Sequence, residues 1–356
     1  MSISDFSSNA VLAKARAMYG RHLTPDDYKN LLACKTVSEV AYYLKNNTDY
    51  AATLSDIGES EVHRGRLEQF LRRRAFADAA RLSVYDLAGG AQFSDYLVRY
   101  AEVEQIMHAV TYLASGSTES YLFSVPLHFS HLVRFDLTRL AQITSFADLL
   151  EVLKPTPYRA LLLPFRPLTG GSIDYTAIET ALFTNLYSVA YEIIRKTRSK
   201  QAAAELKRLF DSYIDIQNYL RIRRLKLLYG ASPDDIRSRL LPYGSVQKER
   251  LREALYAEND KELIKNFPIL SHMDSEELSG LLARGTMQMH FLYGLCLHHL
   301  RFSVYPSVTL ISYFFLSEIE IQDIIHIIEG IRYGLPQNEI RKLLTILNYQ
   351  KKSGGD

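Results

Sequence analysis

The chain has 356 residues, 47% hydrophobic and 23% charged, enough apolar material for two or three cores and enough charge for a soluble surface. Lys plus Arg is 42 and Asp plus Glu is 40, a balance of +2 that argues against a dedicated nucleic-acid binder, which carries a strong basic excess or face. Only Cys34 and Cys296 occur, which excludes a disulfide framework and fits two free thiols in a reducing cytoplasm.

In chain order, MSISDFSSNA (1–10) has neither the basic nor the apolar region of a signal peptide. LTPDDYKNLL then marks a helix start, with Thr24 as N-cap, Pro25 at the first helical position, and Asp26 and Asp27 near the positive end of the helix dipole. TVSEVAYYLKNNTDY (36–50) opens with Thr36 and Glu39 at the spacing of a capping box. LEQFL (67–71) leads into Arg72, Arg73 and Arg74, and DLAGGAQ (86–92) reads as a loop. AEVEQIMHAVTYLASG (101–116) is a helix ending in glycine, and SFADLLEVLKPTPY (145–158) opens on Ser145 and Asp148. RPLTGGS (166–172) reads as a second loop. IDIQNYLRIRRLKLLYG (214–230) holds a second basic cluster with Arg221, Arg223 and Arg224, and ASPDDIRSRLL repeats the Ser232–Pro233 helix start. FSVYPSVTLISYFFL (302–316) is apolar, but its fifteen residues fall short of the roughly 20 that span a bilayer, so it is expected as a buried core helix. The last helical pattern is IEIQDIIHIIEGIRYG (319–334), and KKSGGD (351–356) is expected to fray. Period-2 runs are missing, so the expected fold class is all-α.

Several of these segments recur. EVEQIM, DIQNYL and EIQDII each carry an acid, a β-branched aliphatic, a polar pair and two large apolar residues. Each leads to a glycine where a helix C-cap belongs. Their acids, Glu102, Asp215 and Glu320, are 113 and 105 residues apart. Segments 36–50 and 145–158 match through a shared Leu-Lys, turn and Thr-x-Tyr, and 251–267 fits them loosely. LEQFL matches IETAL (178–182), and DIRSRL (235–240) matches EIRKLL (339–344). Matches in one order at a period near 110 indicate internal triplication, with domains expected at 1–122, 123–240 and 241–350. Such a period is far longer than a helical solenoid repeat, so each copy can own a core.

Seven isoleucines stand in the sixteen residues 319–334, and at 100° per residue Glu320 falls inside the stripe made by six of them, Ile321, Ile324, Ile325, Ile327, Ile328 and Ile331. A carboxylate near a helix start is expected to accept free backbone N–H groups or to pair with an Arg. Recurrence in three copies makes Glu102, Asp215 and Glu320 part of how each domain closes, not a catalytic or ion-carrying set.

No phosphate loop, dinucleotide fingerprint, nucleophile elbow or H-E-x-x-H motif is present, so no cofactor, metal or catalytic residue is expected. His128 and His131 form an H-x-x-H, and His290, His298 and His299 lie near Cys296. Neighbouring helical residues point about 100° apart, so core or half-exposed histidines are the expectation. The basic clusters are expected as solvated faces or internal ion pairs. An interface with an acidic protein partner is their functional alternative.

The residues 15–50, 149–162 and above all YPSVTLISYFFLSEIEIQDIIHIIEGIRYGLPQNEIRKLL (305–344) resemble the C subunit of the V/A-type rotary ATPases, whose eukaryotic counterpart is the d subunit. The order and period of segments over nearly the whole chain carry the resemblance. It implies three similar helical domains around a pseudo-three-fold axis, shaped as a funnel or cup. It further implies a non-catalytic socket between rotor shaft subunits and the membrane proteolipid ring. Such a socket binds no nucleotide or ion, has no transmembrane segment, and sits on the cytoplasmic face of the membrane. An unrelated helical scaffold that binds peptide or protein partners is the competing expectation.

Overall fold

The computed structural model describes residues 3–55, 64–83, 90–115, 133–168, 171–271 and 273–353. Helix α1 (Ile3–Tyr19) precedes the short α2 (Pro25–Ala33) and α3 (Val37–Asn47), then the long α4 (Arg64–Ser83) and α5 (Gly90–Ser115). Short helices return as α6 (Leu137–Leu140), α7 (Phe146–Val152) and α8 (Tyr158–Leu162), followed by the long α9 (Tyr175–Lys196) and α10 (Lys200–Ile222). The third round has α11 (Pro233–Ser238), α12 (Lys248–Ala254) and α13 (Asp260–Lys265). Then come α14 (Ser275–Arg284), α15 (Met287–Phe302) and α16 (Pro306–Arg332), with α17 (Gln337–Leu343) and α18 (Thr345–Ser353) last. The fold is all-α, and no strand occurs among the described residues.

The helix starts obey the capping chemistry of the sequence. Thr24 accepts the Asp27 N–H, Asp27 accepts the Thr24 N–H, and Pro25 occupies the first turn. Ser232 accepts the Asp235 N–H with Pro233 behind it. One cap is built three times. Thr36, Ser145 and Asn259 accept the N–H of Glu39, Asp148 and Glu262. Each of those acids reaches back to the N–H of the residue before the cap: Lys35, Thr144 and Glu258. The loosely matching segment 251–267 therefore carries the same cap. Helices α2, α6 and α12 begin at 25, 137 and 248, and α5, α10 and α16 begin at 90, 200 and 306.

Three expectations are corrected. The apolar run (302–316) and the last helical pattern (319–334) are read as two elements, but Pro306–Arg332 is one unbroken helix, buried from Val308 to Leu316. Phe302 and Val304, at the start of the apolar run, lie outside it and are exposed. Nothing between Pro306 and Arg332 removes a backbone donor or demands a positive φ, so the helix has no reason to stop. Second, the described part of the loop at 86–92 is helical, since α5 begins at Gly90. Third, the tail is helical through Ser353. Two of the three terminal glycines turn as expected: Gly230 and Gly334 have φ of 63° and 65° and follow the ends of their helices, while Gly116 lies outside the described residues.

Two compact units form, one from residues 1–94 and 278–356 and the other from 95–277. The first is centred on α16, which packs on α15, α4, α1, α3 and the two C-terminal helices. Its core includes Leu31, Leu44, Tyr293, Phe314 and Ile324, all fully buried. The second packs α9 against α10 and buries Tyr158, Tyr187, Tyr219 and Phe267. These boundaries differ from the copy boundaries drawn on sequence, because the first and last segments of the chain fold together.

Candidate functional site

Glu102, Asp215 and Glu320 are each buried in the middle of a long helix, α5, α10 and α16. Mid-helix, they cannot cap their own helix, whose N–H groups are already used. This corrects the expectation of a carboxylate near a helix start. Each instead caps a backbone segment from elsewhere, and the N–H groups that reach them belong to Arg134, Ser245 and Leu23. In the sequence these donors lie at 23, 134 and 245, a spacing of 111.

In the first closure Glu102 Oε1 accepts the Arg134 N–H at 2.8 Å and its Nε at 2.9 Å, and Oε2 accepts the Tyr158 hydroxyl at 3.0 Å. Arg134 Nη2 completes a bidentate pair with the carboxylate. This hydrogen bonding holds the Arg134 guanidinium above its ordinary range.

In the second closure Asp215 accepts the Ser245 N–H at 3.1 Å, the Ser245 hydroxyl at 2.5 Å and the Val246 N–H at 3.4 Å. Among the described residues no arginine or histidine is bonded to it. Burial raises its pKa and the neighbouring Asp211 adds to this, against the pull of those donors. Gly244 comes close here with φ of 116°, and a Cβ on it would overlap Asp215 Oδ1. Three residues on, Asn218 fixes Leu241 through both its N–H (2.9 Å) and its carbonyl (3.0 Å).

In the third closure Glu320 Oε2 accepts the Leu23 N–H at 2.8 Å and Oε1 accepts the Tyr50 hydroxyl at 2.7 Å. His22 Nδ1 lies 3.1 Å from Oε2 at an angle poor for a hydrogen bond. Burial alone would raise Glu320, but His22, Tyr50 and the Leu23 N–H outweigh it and hold the carboxyl below its ordinary value. Three residues on, Asp323 accepts the Thr345 and Ile346 N–H groups at 2.7 and 2.9 Å and so caps α18. Burial, with Glu320 adding, pushes Asp323 up to about 7 against these donors and the nearby Tyr28 hydroxyl.

Sequence reasoning found the three acids and missed what they hold. Tyr50 and Tyr158 were visible as the recurring end of Thr-x-Tyr. The main donors are backbone N–H groups, which leave no side-chain signature. Asp323 and Asn218 were signalled only as the second member of the polar pair.

Four of the six clustered arginines are engaged inside their own unit. Arg72 pairs with Glu68 and Glu318 (3.1 Å each). Arg74 pairs with Asp49 (2.7 Å) and lies 4.1 Å above the Tyr50 ring. Arg221 is buried on Glu179, Thr180 and the Arg239 carbonyl, and Arg223 pairs with Asp260. Arg73 and Arg224 are exposed. Cys34 and Cys296 are free thiols, with Cys296 buried. His299 is buried, His298 is exposed and His290 lies against Tyr349, while His128 and His131 fall outside the described residues. No group of three metal-ligating side chains occurs among the described residues, and no helix among them is long and apolar enough to cross a membrane.

Fold and closures together define an all-helical protein whose buried acids fasten one segment to another. The family profile described as ATP synthase (C/AC39) subunit matches residues 11–343, and the chain belongs to this family of non-catalytic rotary ATPase subunits. The C subunit of the A-type ATP synthase of Archaeoglobus fulgidus, a curated relative, is 24% identical over 348 residues, covering 95% of this chain and 96% of that protein.

Proposed function

We propose that this chain is the central-stalk socket of a V/A-type ATPase or ATP synthase, joining the rotor shaft subunits to the membrane proteolipid ring. Through it, ATP turnover in other subunits is coupled to proton or sodium transport. The observation that carries this reading is one closure built three times, with its backbone donors 111 residues apart, in a chain matched to the family over 11–343. Three copies, 1–122, 123–240 and 241–350, set about a pseudo-three-fold axis as a funnel would offer a shaft the same wall on each side. A part that transmits torque must resist shear. Directional bonds from a buried carboxylate to the backbone of another segment give that stiffness where apolar packing would slide. The chain would sit peripherally on the cytoplasmic face, held by the ring. The exposed Arg73 and Arg224 are the members of the basic clusters left to meet a partner. The reading needs no cofactor and no nucleic acid.

Reconstitution of the complex with and without this chain tests the reading. With it, ATP hydrolysis drives ion transport. Without it, the soluble head still hydrolyses ATP and no ions move. Coupled transport in its absence, or ATP turnover by the purified chain alone, overturns the proposal.

A further inference from the structure

The three closures differ in one respect that bears on control. Glu102 and Asp215 hold donors 32 and 30 residues downstream, on chain that follows them directly. Glu320 instead holds Leu23, 297 residues upstream, so this junction fastens the N-terminal segment to the last long helix. The counter-charge also differs: an arginine at Glu102, none among the described residues at Asp215, and a histidine at Glu320. A histidine is the one cation of this set whose type changes charge between pH 5 and 8.

We propose that the His22–Glu320 junction is a proton-controlled clasp on the N-terminal segment, tight with a charged imidazole and looser once the proton leaves. The groups facing it support this sign. From α1 and α15, Tyr19 and Tyr293 share a hydroxyl–hydroxyl bond of 2.9 Å, and the Tyr19 ring lies 4.7 Å from the imidazole. From α2 comes Tyr28, from the turn after α3 comes Tyr50, and from α16 comes Tyr313, whose ring is 5.7 Å from His22. Burial raises Tyr19, Tyr28, Tyr50 and Tyr313, so none of these phenols supplies or takes a proton near neutrality. From α4, Arg74 stays charged and is already shared with Asp49 and Asp78. The remaining titrating neighbour is Asp323 on the same helix face, a second carboxylate with no arginine or lysine bonded to it among the described residues. Asp323 feels the charge of Glu320 but is held by the Thr345 and Ile346 N–H groups, so the histidine is Glu320's own counter-charge. Deprotonating the imidazole removes the positive charge 3.1 Å from Glu320 Oε2 and leaves a buried carboxylate without its counter-charge, held only by the Leu23 N–H and the Tyr50 hydroxyl.

Amide hydrogen exchange on the full chain, corrected for the intrinsic pH dependence of exchange, tests the clasp. From pH 6 to pH 8.5 protection around Leu23 should fall on the order of tenfold. Protection around Arg134, held by an arginine-paired acid, should stay level and is the internal control. His22→Arg should keep Leu23 protected across the range. His22→Gln, neutral at every pH, should give low protection without pH dependence, and it decides the matter alone if the arginine variant does not fold. The proposal is overturned if the Leu23 and Arg134 segments respond equally to pH, or if His22→Gln keeps the wild-type response.

Discussion

Replacing Glu320 by alanine is the sharpest stability test of the closures. The carboxylate is 1% exposed and serves the Leu23 N–H, the Tyr50 hydroxyl and the His22 imidazole. Alanine removes the acceptor and leaves these groups buried. One orphaned donor costs about 1–3 kcal/mol, and breaking a buried ion pair from one side costs about 3–5 kcal/mol. The terms overlap because the groups share one acceptor. We therefore expect a loss of about 3–5 kcal/mol, above the roughly 1 kcal/mol typical of a surface cap. For a unit of this size the melting temperature should fall by roughly 6–20 °C, at about 2–4 °C per kcal/mol. The assay is thermal unfolding of the full chain by circular dichroism, with Arg73→Ala, an exposed change, as the neutral control. Glu320→Gln keeps one acceptor oxygen and should fall between alanine and wild type. If Glu320→Ala melts within about 1 kcal/mol of wild type, the carboxylate is not a fastening, and the reasoning for Glu102 and Asp215 fails with it.

Gly244→Ala should cost about 2–4 kcal/mol, because φ of 116° disfavours any side chain and a Cβ would push on the carboxylate that holds Ser245; unchanged urea unfolding would contradict this. Asp323 is pushed up to about 7 in the fold, above the roughly 3.9 of an unfolded aspartate. Its folded form therefore favours the proton, and its contribution to stability is fully present below about pH 4 and is lost as the pH rises through about 7. Asp323→Asn should flatten the fall in stability between pH 5 and 7, and a variant that keeps the wild-type slope would remove Asp323 as its source.

Much of this protein was legible before any coordinates. Helix starts follow from local chemistry within four residues, so Thr24–Pro25–Asp27 and Ser232–Pro233–Asp235 needed no tertiary information. The recurrence of one capped helix start near 36, 145 and 259 was legible in part, because a cap is written within four residues. The acids stood out because a carboxylate within an isoleucine stripe must have a partner.

Only the tertiary structure decided which partner each acid has. The donors at Leu23, Arg134 and Ser245 are backbone groups that every residue but proline possesses, so no residue type announces them. Nor did the spacing reveal how far each acid reaches, 32 and 30 residues downstream for Glu102 and Asp215 and 297 residues back to the N-terminal segment for Glu320. The same holds for the arginines. Arg72 and Arg73 are neighbours in one cluster, yet one is paired to Glu68 and Glu318 and the other faces solvent. Sequence specifies the local conformation and the face a helix must bury. Which distant group meets that face depends on how the long helices pack, and this is set by the sum of many weak contacts that no short stretch of sequence contains.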